Sequence, residues 1–365
     1  MKVLFAGLGS IGQRHVRNLR TLLGDQVEIL AYRANGDSPV LNADMTVKQG
    51  AVPETTYNIR SFSNLDDALG EKPDAVFVTN PNSLHLPVAL AAAKAGCHLF
   101  IEKPLADSLD GVEELIDMVE RKNLVAFVAY QFRFHPGLRW IKNLLQEQRL
   151  GRLVAAHIVN GEYLPDWHPY EDYRQGHAAR RALGGGALRI QTHEFDYALW
   201  LFGMPRRVYA VGGHLSGLEI DVEDSVDVLL SCEDRGGLLP VHIHLDYVQR
   251  PPQRICEVIG DAGKVQYDFY SNQVVMHDLQ ARTTQQVHFN GFERNQMFLD
   301  ELRHFVDCLR GETQPIVDLR ESVRSLRFSL LADESLRTGS VVTCASDQQT
   351  SLLTSHGITL TRNGG

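Results

Sequence analysis

Cysteine is scarce in this chain of 365 residues, and its five cysteines form no recognisable pattern. Their number is odd, they are scattered, and none belongs to a Cys-x-x-Cys pair. A disulfide framework or a zinc module needs such pairing, so the sequence favours reduced thiols inside a cell. The cysteines are Cys97, Cys232, Cys256, Cys308 and Cys344.

Long apolar runs and an excess of positive charge are also missing. No apolar run approaches the ~20 residues that cross a bilayer. Met1 and Lys2 lead directly into an apolar stretch, which leaves no room for a signal peptide. The formal net charge of −9 argues against nucleic acid or an anionic membrane as a partner. We therefore expect a cytoplasmic protein that acts on small molecules.

The chain is long and hydrophobic enough for two domains. Its 365 residues exceed one typical domain, and 44% hydrophobic with 22% charged residues is usual for a globular protein. Because the pattern of apolar segments changes after residue 130, we place the boundary there. The predicted units are residues 1–130, residues 131–345 and a polar tail at 346–365.

The first unit alternates strands with helices. The strand at 74–79 is apolar throughout its centre, as expected of a parallel strand buried on both faces. The alternation predicts a doubly wound parallel sheet of the Rossmann type. The predicted strands are 2–6, 27–32, 58–62, 74–79, 97–101 and 125–130, and the predicted helices are 13–23, 86–95 and 108–121.

The second unit has long strands with few helices between them. This pattern predicts an α+β domain with a large, mostly antiparallel open sheet. One helix at 186–202 is expected to interrupt the strands. The predicted strands are 153–163, 207–214, 223–233, 238–247, 254–259 and 264–269, and the remaining helices are 137–148, 295–309 and 319–338.

A glycine-rich turn joins the first strand to the first helix. Gly7 permits the tight turn, Gly9 lets the backbone approach a phosphate, and Gly12 lets the helix pack on the strand. The free amides at the helix N-terminus, where Ser10 and Ile11 lie, would face a pyrophosphate. The alternative is a chance glycine turn in an ordinary βα unit.

Glu102, Lys103 and Pro104 follow the fifth predicted strand, at the mouth of the same sheet. A glycine loop for a pyrophosphate, with a lysine at a strand end of the same sheet, is the layout of a dehydrogenase. The alternative for Lys103 is a solvated loop lysine.

These motifs resemble those of the glucose–fructose oxidoreductase / inositol dehydrogenase / MocA family, and the likeness covers nearly the whole chain in order. Segment 167–174 is similar, more narrowly, to members that act in the biosynthesis of bacterial surface sugars such as sialic-acid-like nonulosonates. The segments that carry the resemblance are 7–12, 79–81 with His85, 102–104, 130–136, 184–186, 193–196 and 260–263.

The resemblance implies NAD(P)-dependent hydride transfer between nicotinamide and a carbinol or keto carbon of a sugar, including nucleotide-activated and acidic sugars. Lys103 and His193 match the catalytic positions, and the Lys103–Pro104 peptide is expected to be cis. A lysine ammonium stabilises negative charge developing on the substrate oxygen, and a histidine takes or returns the hydroxyl proton. The alternative for His193 is an interior histidine without a catalytic role.

The resemblance also implies two sets of binding residues. For the cofactor they are Gly7, Gly9, Ser10, Ile11, Gly12, Tyr32, Arg33, Thr79, Asn80, Pro81, His85, Glu102, Lys103 and Gln131. For the substrate they are Arg133, Trp167, Tyr173, Arg174, His177, Gln191 and His193.

Ile190 departs from the family pattern. Similar members usually carry an aspartate three residues before the catalytic histidine, and isoleucine can neither orient an imidazole nor stabilise its cation. Either another group assists His193, or substrate and mechanism differ from the family norm. His177 is a candidate substitute, and sequence drift without functional meaning is an equal alternative for it.

Arg33 follows the second strand, where an acidic side chain would bind the adenosine ribose and repel a 2′-phosphate. A guanidinium next to Tyr32 can pair with that phosphate and stack on adenine. The sequence therefore favours NADP, with NAD also possible.

Four arginines cluster in sequence near the predicted cleft, at positions 174, 180, 181 and 189. They could bind a carboxylate or phosphate of the substrate, or they could form internal salt bridges on the surface.

His242, His244 and Asp246 alternate along one strand and could in principle chelate a metal. No other ligands stand at convincing spacing, so a polar sheet face or a subunit interface is favoured and no metal is expected.

Three functions stay open at this point. The favoured one is a sugar oxidoreductase. The others are a glycosidase that holds NAD and cleaves its substrate by transient oxidation and elimination, and a catalytically silent nucleotide-binding protein.

The oligomeric state follows from the second sheet. Because few helices follow residue 203 to cover this sheet, and because members of the family pair through it, we expect a homodimer or a homotetramer.

Overall fold

The computed structural model describes residues 1–34 and 39–344. It contains two sheets, and the predicted fold class is confirmed: a parallel Rossmann sheet is followed by an α+β region with a larger, mostly antiparallel sheet. The predicted polar tail at 346–365 lies outside the described residues.

The first sheet has six parallel strands in the order β3-β2-β1-β4-β5-β6. Every strand predicted for this unit is present, with ends shifted by at most one residue. The strand order reverses between β1 and β4, so the loops after these two strands open into one crevice, where Rossmann folds bind their ligands. The strands are β1 (Lys2–Ala6), β2 (Glu28–Tyr32), β3 (Ile59–Phe62), β4 (Ala75–Val78), β5 (His98–Glu102) and β6 (Ala126–Ala129).

Five α-helices accompany this sheet among the described residues. The first begins at Ser10, directly after the glycine turn and earlier than predicted. The second and third were not predicted because they span little more than one turn, although Asn64 caps the third by accepting the amides of Asp66 and Asp67. The helices are α1 (Ser10–Leu23), α2 (Pro53–Tyr57), α3 (Leu65–Gly70), α4 (His85–Ala95) and α5 (Val112–Arg121).

The second sheet has nine strands in the order β14-β13-β12-β11-β7-β10-β9-β8-β15. Of its described pairs, only β7 with β10 is parallel. Six strands match the prediction within two residues, and three were missed; β14 is polar and almost wholly exposed, so it shows no apolar alternation. The strands are β7 (Leu153–Gly161), β8 (Arg207–Gly213), β9 (Ser225–Asp234), β10 (Gly237–Asp246), β11 (Gln253–Gly260), β12 (Gly263–Asp268), β13 (Gln273–Asp278), β14 (Thr283–His288) and β15 (Val342–Thr343).

The predicted single helix at 186–202 is wrong. Two helices occupy this segment, and they are separated at Gln191 and Thr192. The side-chain amide of Gln191 donates to the Asp246 carbonyl at 3.1 Å, which ties the break to the second sheet. This tertiary contact is invisible to a periodicity argument. The helices of the second unit are α6 (Pro136–Gln146), α7 (Ala187–Ile190), α8 (His193–Phe202), α9 (Arg294–Leu309) and α10 (Leu319–Thr338).

The two units share a core on one face of the first sheet. Phe305 of α9 packs edge-on against Phe77 and Phe100, with ring centroids 5.7 and 5.3 Å apart. Such aromatic pairs bury large apolar areas. Helix α9 also packs beside α1, where the Arg14 guanidinium lies 4.7 Å from the Phe298 ring centroid.

One face of the second sheet is covered by helices, and its other face carries exposed apolar side chains. Helix α10 packs on β8, and α8 packs on β7 and β9. On the opposite face Val211, Leu229 and Leu238 are exposed. Isolated exposed apolar residues are ordinary, but several on neighbouring strands of one face form a candidate contact surface.

No helix in the described ranges has the length and apolar character needed to cross a membrane.

Candidate active site

The glycine turn after β1 has the shape of a phosphate cradle. Gly7 has φ +108°, and a Cβ there would lie 2.9 Å from the Thr79 carbonyl oxygen. A Cβ on Gly12 would lie 2.5 Å from the Gly7 oxygen, whereas a Cβ on Gly9 would have no atom within 4 Å. Space therefore lies in front of Gly9, and no side chain among the described residues caps the N-terminal amides of α1. The turn fits a dinucleotide pyrophosphate, since free helix amides bind anions.

The loop after β4 is fastened both to this turn and to Pro104, the residue after Lys103. Thr79 Oγ1 donates to the Gly7 oxygen at 2.7 Å. His85 lies buried between two carbonyls, with Nδ1 2.7 Å from the Pro104 oxygen and Nε2 2.8 Å from the Asn80 oxygen. Burial lowers its pKa. His85 therefore joins two loops of the crevice beneath its surface.

Lys103 reaches across to the second unit. Its Nζ donates to the Ile190 carbonyl at 2.8 Å, and the Lys103–Pro104 peptide is cis, as the resemblance implies. Burial lowers the pKa of Lys103, while the Glu102 carboxylate acts in the opposite direction. Glu102 is itself buried, accepts the Lys103 amide at 3.2 Å and pairs with His15 Nε2 at 2.7 Å. The buried Glu102 carboxylate thus fixes the backbone amide of Lys103.

His193, the first residue of α8, lies in an aromatic pocket. The Phe132 ring stands edge-on at 4.6 Å, and the Tyr130 ring at 5.9 Å. Burial, followed by the Lys103 charge, lowers the pKa of His193 well below its usual value. A neutral imidazole is the form that accepts a proton.

Gln131, predicted to bind the cofactor, contacts His193. Its amide nitrogen lies 3.1 Å from His193 Nε2. That orientation occupies the Nε2 lone pair and leaves both the Gln131 oxygen and His193 Nδ1 without a hydrogen-bond partner in the described part of the chain. With the amide turned over, the Gln131 oxygen accepts from Nε2–H, and the lone pair on Nδ1 is free to take a proton. Gln131 is thus the group that orients His193.

Position 190 contributes its backbone in place of a carboxylate. The Ile190 carbonyl accepts from Lys103, whereas the side chain is buried among apolar neighbours. Burial, followed by the Lys103 charge, lowers the pKa of His177 to about 4. A relay through His177 remains a prediction.

The predicted substrate residue Arg133 is engaged in a buried ion pair. Its guanidinium binds both Asp196 oxygens, at 2.7 and 2.9 Å, and Glu321 at 2.9 Å. Bidentate pairs of this kind are strong and directional. The contacts favour a structural role, in which Arg133 ties α8 to α10.

The other predicted substrate residues lie along the segment that enters α7. Trp167 stands edge-on to Tyr247 at 5.2 Å, and the Tyr173 hydroxyl accepts the Glu219 amide at 3.2 Å. Arg174 binds Asp172 and Glu219, the latter at 2.7 Å. Because Arg174 is already paired with two carboxylates, it is less available to bind an anionic substrate.

Two further members of the arginine cluster also have acidic neighbours. Arg189 lies 3.3 Å from the Asp333 carboxylate, which fits the salt-bridge interpretation of the cluster. Arg181 donates its backbone amide to the Asp221 carboxylate at 2.7 Å and its guanidinium to the Asp221 backbone carbonyl at 3.2 Å, so this contact is a pair of hydrogen bonds.

Arg254 of β11 was missed by sequence reasoning. Its Nε donates to Glu194 at 2.9 Å, and its guanidinium lies 4.6 Å from the Phe132 ring centroid. Its charge lowers the pKa of both Lys103 and His193. No local motif marks it, because the strand that carries it is distant in sequence from both catalytic positions.

The residues considered for a metal instead pair with one another. His242 and His244 both contact Asp227 Oδ1, at 2.8 and 2.9 Å, and His244 Nε2 contacts Asp246 at 3.0 Å. No metal-ligand group of three or more is found within residues 1–34 and 39–344.

At the end of β2, Arg33 pairs with an acidic residue. Its guanidinium lies 2.6 Å from Glu54 Oε1, which also accepts the Ser61 hydroxyl at 2.6 Å. Burial raises the pKa of Glu54, but hydrogen bonds from Ser61 and Arg33 outweigh it and lower the pKa overall. Glu54 therefore stays ionised beside Arg33.

Known proteins share both the sequence pattern and the fold. The chain is 27% identical over 348 residues to a myo-inositol 2-dehydrogenase of Thermotoga maritima, covering 92% of this chain and 96% of that protein. The WlbA dehydrogenase of Bordetella pertussis, in complex with NADH and UDP-GlcNAcA, superposes with a TM-score of 0.77 at 23% identity, covering 95% and 99% of the two chains. A levoglucosan dehydrogenase in complex with NADH superposes with a TM-score of 0.78 at 19% identity, covering 94% and 98%. At these identities the two superpositions show the fold.

Family descriptions cover most of the chain. Residues 1–130 match an oxidoreductase family with an NAD-binding Rossmann fold, and residues 138–266 match the GFO/IDH/MocA C-terminal domain. Together with the glycine turn and the placement of Lys103, these matches identify the chain as a member of the GFO/IDH/MocA oxidoreductase family.

Proposed function

We propose that this protein is an NAD(P)-dependent oxidoreductase that transfers hydride between nicotinamide and a carbinol or keto carbon of a sugar. The observation that carries the proposal is the convergence of Lys103 and His193 beside the glycine turn. Lys103 extends from the Rossmann sheet to the Ile190 carbonyl of the second unit, three residues before His193. The sugar would lie between the two units, over the nicotinamide.

The chemistry follows from the protonation states of these two residues. A dinucleotide whose pyrophosphate is held by the glycine turn would supply the hydride acceptor or donor through its nicotinamide. Lys103 holds positive charge where negative charge develops on the substrate oxygen. Neutral His193 receives the hydroxyl proton in oxidation and returns it in reduction. Phe132 and Tyr130 keep water away from the imidazole, which strengthens these electrostatic effects.

The activity is tested with a panel of sugars, including nucleotide-activated and acidic ones, followed by absorbance of the reduced nicotinamide. Net reduction of NAD(P)⁺ in proportion to sugar consumed supports the proposal. Release of an aglycone without net reduction would indicate the glycosidase alternative. Nucleotide binding without turnover of any sugar would indicate a family member that has no catalytic activity. Because the chain is similar to WlbA, the substrates of the surface-sugar branch are tested first.

We propose NADP as the preferred cofactor, with NAD also accepted, because Arg33 stands where a 2′-phosphate would bind. Since Glu54 pairs with Arg33, the preference should be moderate. Arg33→Ala should lower the preference for NADP over NAD by about 10-fold, and Glu54→Gln should raise it by removing a carboxylate that repels the 2′-phosphate and competes with it for the guanidinium. Dissociation constants for both cofactors measure this ratio. A preference for NAD that survives Arg33→Ala would refute the assignment.

We propose a homodimer, or a dimer of dimers, formed through the uncovered face of the second sheet. Burying the exposed apolar side chains on that face would supply the hydrophobic contribution that stable dimers need. Light scattering should give at least twice the monomer mass of 40.9 kDa at micromolar concentration. Leu229→Arg, in the middle of this face, should shift the protein towards monomer, whereas Leu279→Arg, in an exposed turn, should not. A wild-type monomer would contradict the proposal.

We further propose that each unit has its own function. Residues 1–130 bind NAD(P), and residues 131–345 bind the substrate and form the contact between subunits.

A further inference from the structure

Arg254 of β11 and Glu194 of α8 form an ion pair inside the protein. Arg254 Nε donates to Glu194 Oε1 at 2.9 Å, and only 8% of Arg254 and none of Glu194 is exposed to solvent. Glu194 directly follows His193, so the pair lies next to the proposed proton acceptor. Burying two charges costs desolvation free energy that well-packed apolar side chains would not cost. Stability alone therefore does not account for a pair at this position.

A second buried pair, whose carboxylate also lies on α8, shows a different construction. The Arg133 guanidinium reaches both oxygens of Asp196, and Ser325 donates to one of them at 3.1 Å. The Arg254–Glu194 pair instead uses one carboxylate oxygen, and Glu194 Oε2 has no hydrogen-bond partner among the described residues. The pair beside His193 is thus built less like a structural clamp than the pair of Arg133.

Phe132 connects this pair to the imidazole. The Arg254 guanidinium lies over the Phe132 ring, 4.6 Å from its centroid. The His193 ring lies 4.6 Å from the same centroid, at an interplanar angle of 79°. A cation over the face of an aromatic ring is attracted by the quadrupole of that ring. Arg254 therefore holds the ring that packs against His193 and places a positive charge one ring away from the imidazole.

Positive charge predominates around His193. Burial, followed by the charges of one lysine and two arginines, lowers its pKa. Burial lowers the pKa of His135 to about 3, so this neighbour is neutral at higher pH. Glu194 directly offsets the nearer arginine, Arg254. The titratable and charged groups packed around the imidazole and the pair are Lys103 after β5, Tyr130 and His135 after β6, Glu162 after β7, Glu194 and Tyr197 on α8, Arg254 on β11 and Arg294 on α9.

We propose that Arg254 and Glu194 are positioning residues for His193: the pair holds Phe132 against the imidazole and balances the charge beside it, so that the neutral ring can take the hydroxyl proton. The proposal rests on the proposed function and deepens it by assigning a role to two residues outside the catalytic positions. Neither residue takes or returns the proton. Their loss should therefore change the pH dependence of sugar oxidation and not only its rate.

Removing the two partners should move the acid limb of the kcat/KM profile in opposite directions. Arg254→Leu leaves the Glu194 carboxylate next to the imidazole and favours the imidazolium, so the limb should rise by about 1 pH unit, which lowers kcat/KM on that limb roughly 10-fold. Glu194→Gln leaves the cation, so the limb should move to lower pH. Arg254→Leu/Glu194→Gln removes both charges and should return the limb close to its wild-type position. Arg254→Lys keeps the charge and should keep the limb.

NMR of protein labelled with ¹³C in its histidine rings follows the same shifts without a substrate. The signal of His193 is the one that is missing from His193→Ala. Lys264→Gln is the matched control, since Lys264 of β12 pairs with Glu257 of β11 near the other end of that strand. This variant also removes one positive charge from an ion pair of β11, and its pH profile and NMR titration should match those of the wild type.

A limb and a His193 titration that move in the same direction in Arg254→Leu and Glu194→Gln, or that move in neither, would overturn the proposal and leave the pair a structural contact. Thermal unfolding establishes that each variant is folded. If Arg254→Leu does not fold, Glu194→Gln is compared with the double variant, in which loss of the cation should raise the limb. Opposite NMR shifts without oxidation of any sugar would refute the proposed function and leave the action of the pair on His193 standing.

Discussion

Replacing Lys103 by alanine should lower kcat by about 10²–10³-fold, which corresponds to a loss of about 3–4 kcal/mol of transition-state stabilisation. In the proposed mechanism the Lys103 ammonium stabilises negative charge on the substrate oxygen, and the Ile190 carbonyl that contacts it is an acceptor and cannot replace it. The dissociation constant of NADH should change little, because the glycine turn holds the dinucleotide. Steady-state kinetics and NADH titration measure the two effects separately.

Lys94→Ala is the matched control for this variant. Lys94 is exposed on α4, so its removal takes away the same charge without touching the cleft. Its kinetics should match those of the wild type. Full activity in Lys103→Ala would remove Lys103 from the mechanism.

Replacing His193 by alanine should reduce sugar oxidation by roughly 10²–10⁴-fold, the usual range for loss of a general base. The pH profile of kcat/KM should carry the signature of the same residue. Because burial places the pKa of His193 well below 6.5, oxidation should rise with pH on a limb that lies below 6.5. It should fall again as Lys103 loses its proton, at a pH below its usual 10.5.

The acid limb should disappear or move in His193→Ala and should remain in His288→Ala, which removes an exposed imidazole from β14. Gln131→Leu should shift the limb, since the Gln131 amide fixes the proton of His193 on one nitrogen. An acid limb unchanged in His193→Ala would mean that another group takes the proton.

The sequence was sufficient for the parts of the site that belong to local motifs. The glycine turn and Lys103 each follow a buried strand, and a strand–turn–helix unit has few geometries, so their convergence could be predicted. His193 could be placed only through the family resemblance. Its environment could not be predicted at all, because Gln131 and Phe132 reach it from another part of the chain.

Position 190 shows a different limit of sequence reasoning. An isoleucine at a position that usually carries a carboxylate suggests a lost interaction, since a sequence displays side chains only. The structure shows that the backbone carbonyl of Ile190 accepts from Lys103. The break between α7 and α8 that presents this carbonyl depends on the contact of Gln191 with β10.

The arginines show a third limit. Charge clustering along the sequence pointed to the arginines of segment 174–189, several of which pair with nearby carboxylates. Arg14 and Phe298 are far apart in sequence and meet only because α9 packs beside α1. Such pairs follow from tertiary structure and leave no pattern in a single sequence.

The central claim, hydride transfer from a sugar carbon to nicotinamide, is tested most directly by following deuterium. The panel sugar with the highest turnover is prepared with deuterium on its carbinol carbon, and the reduced cofactor is analysed by mass spectrometry. The account predicts one deuterium in each reduced nicotinamide, formed at least 10²-fold more slowly by Lys103→Ala. Reduced nicotinamide without deuterium, or sugar conversion without reduced nicotinamide, would contradict it.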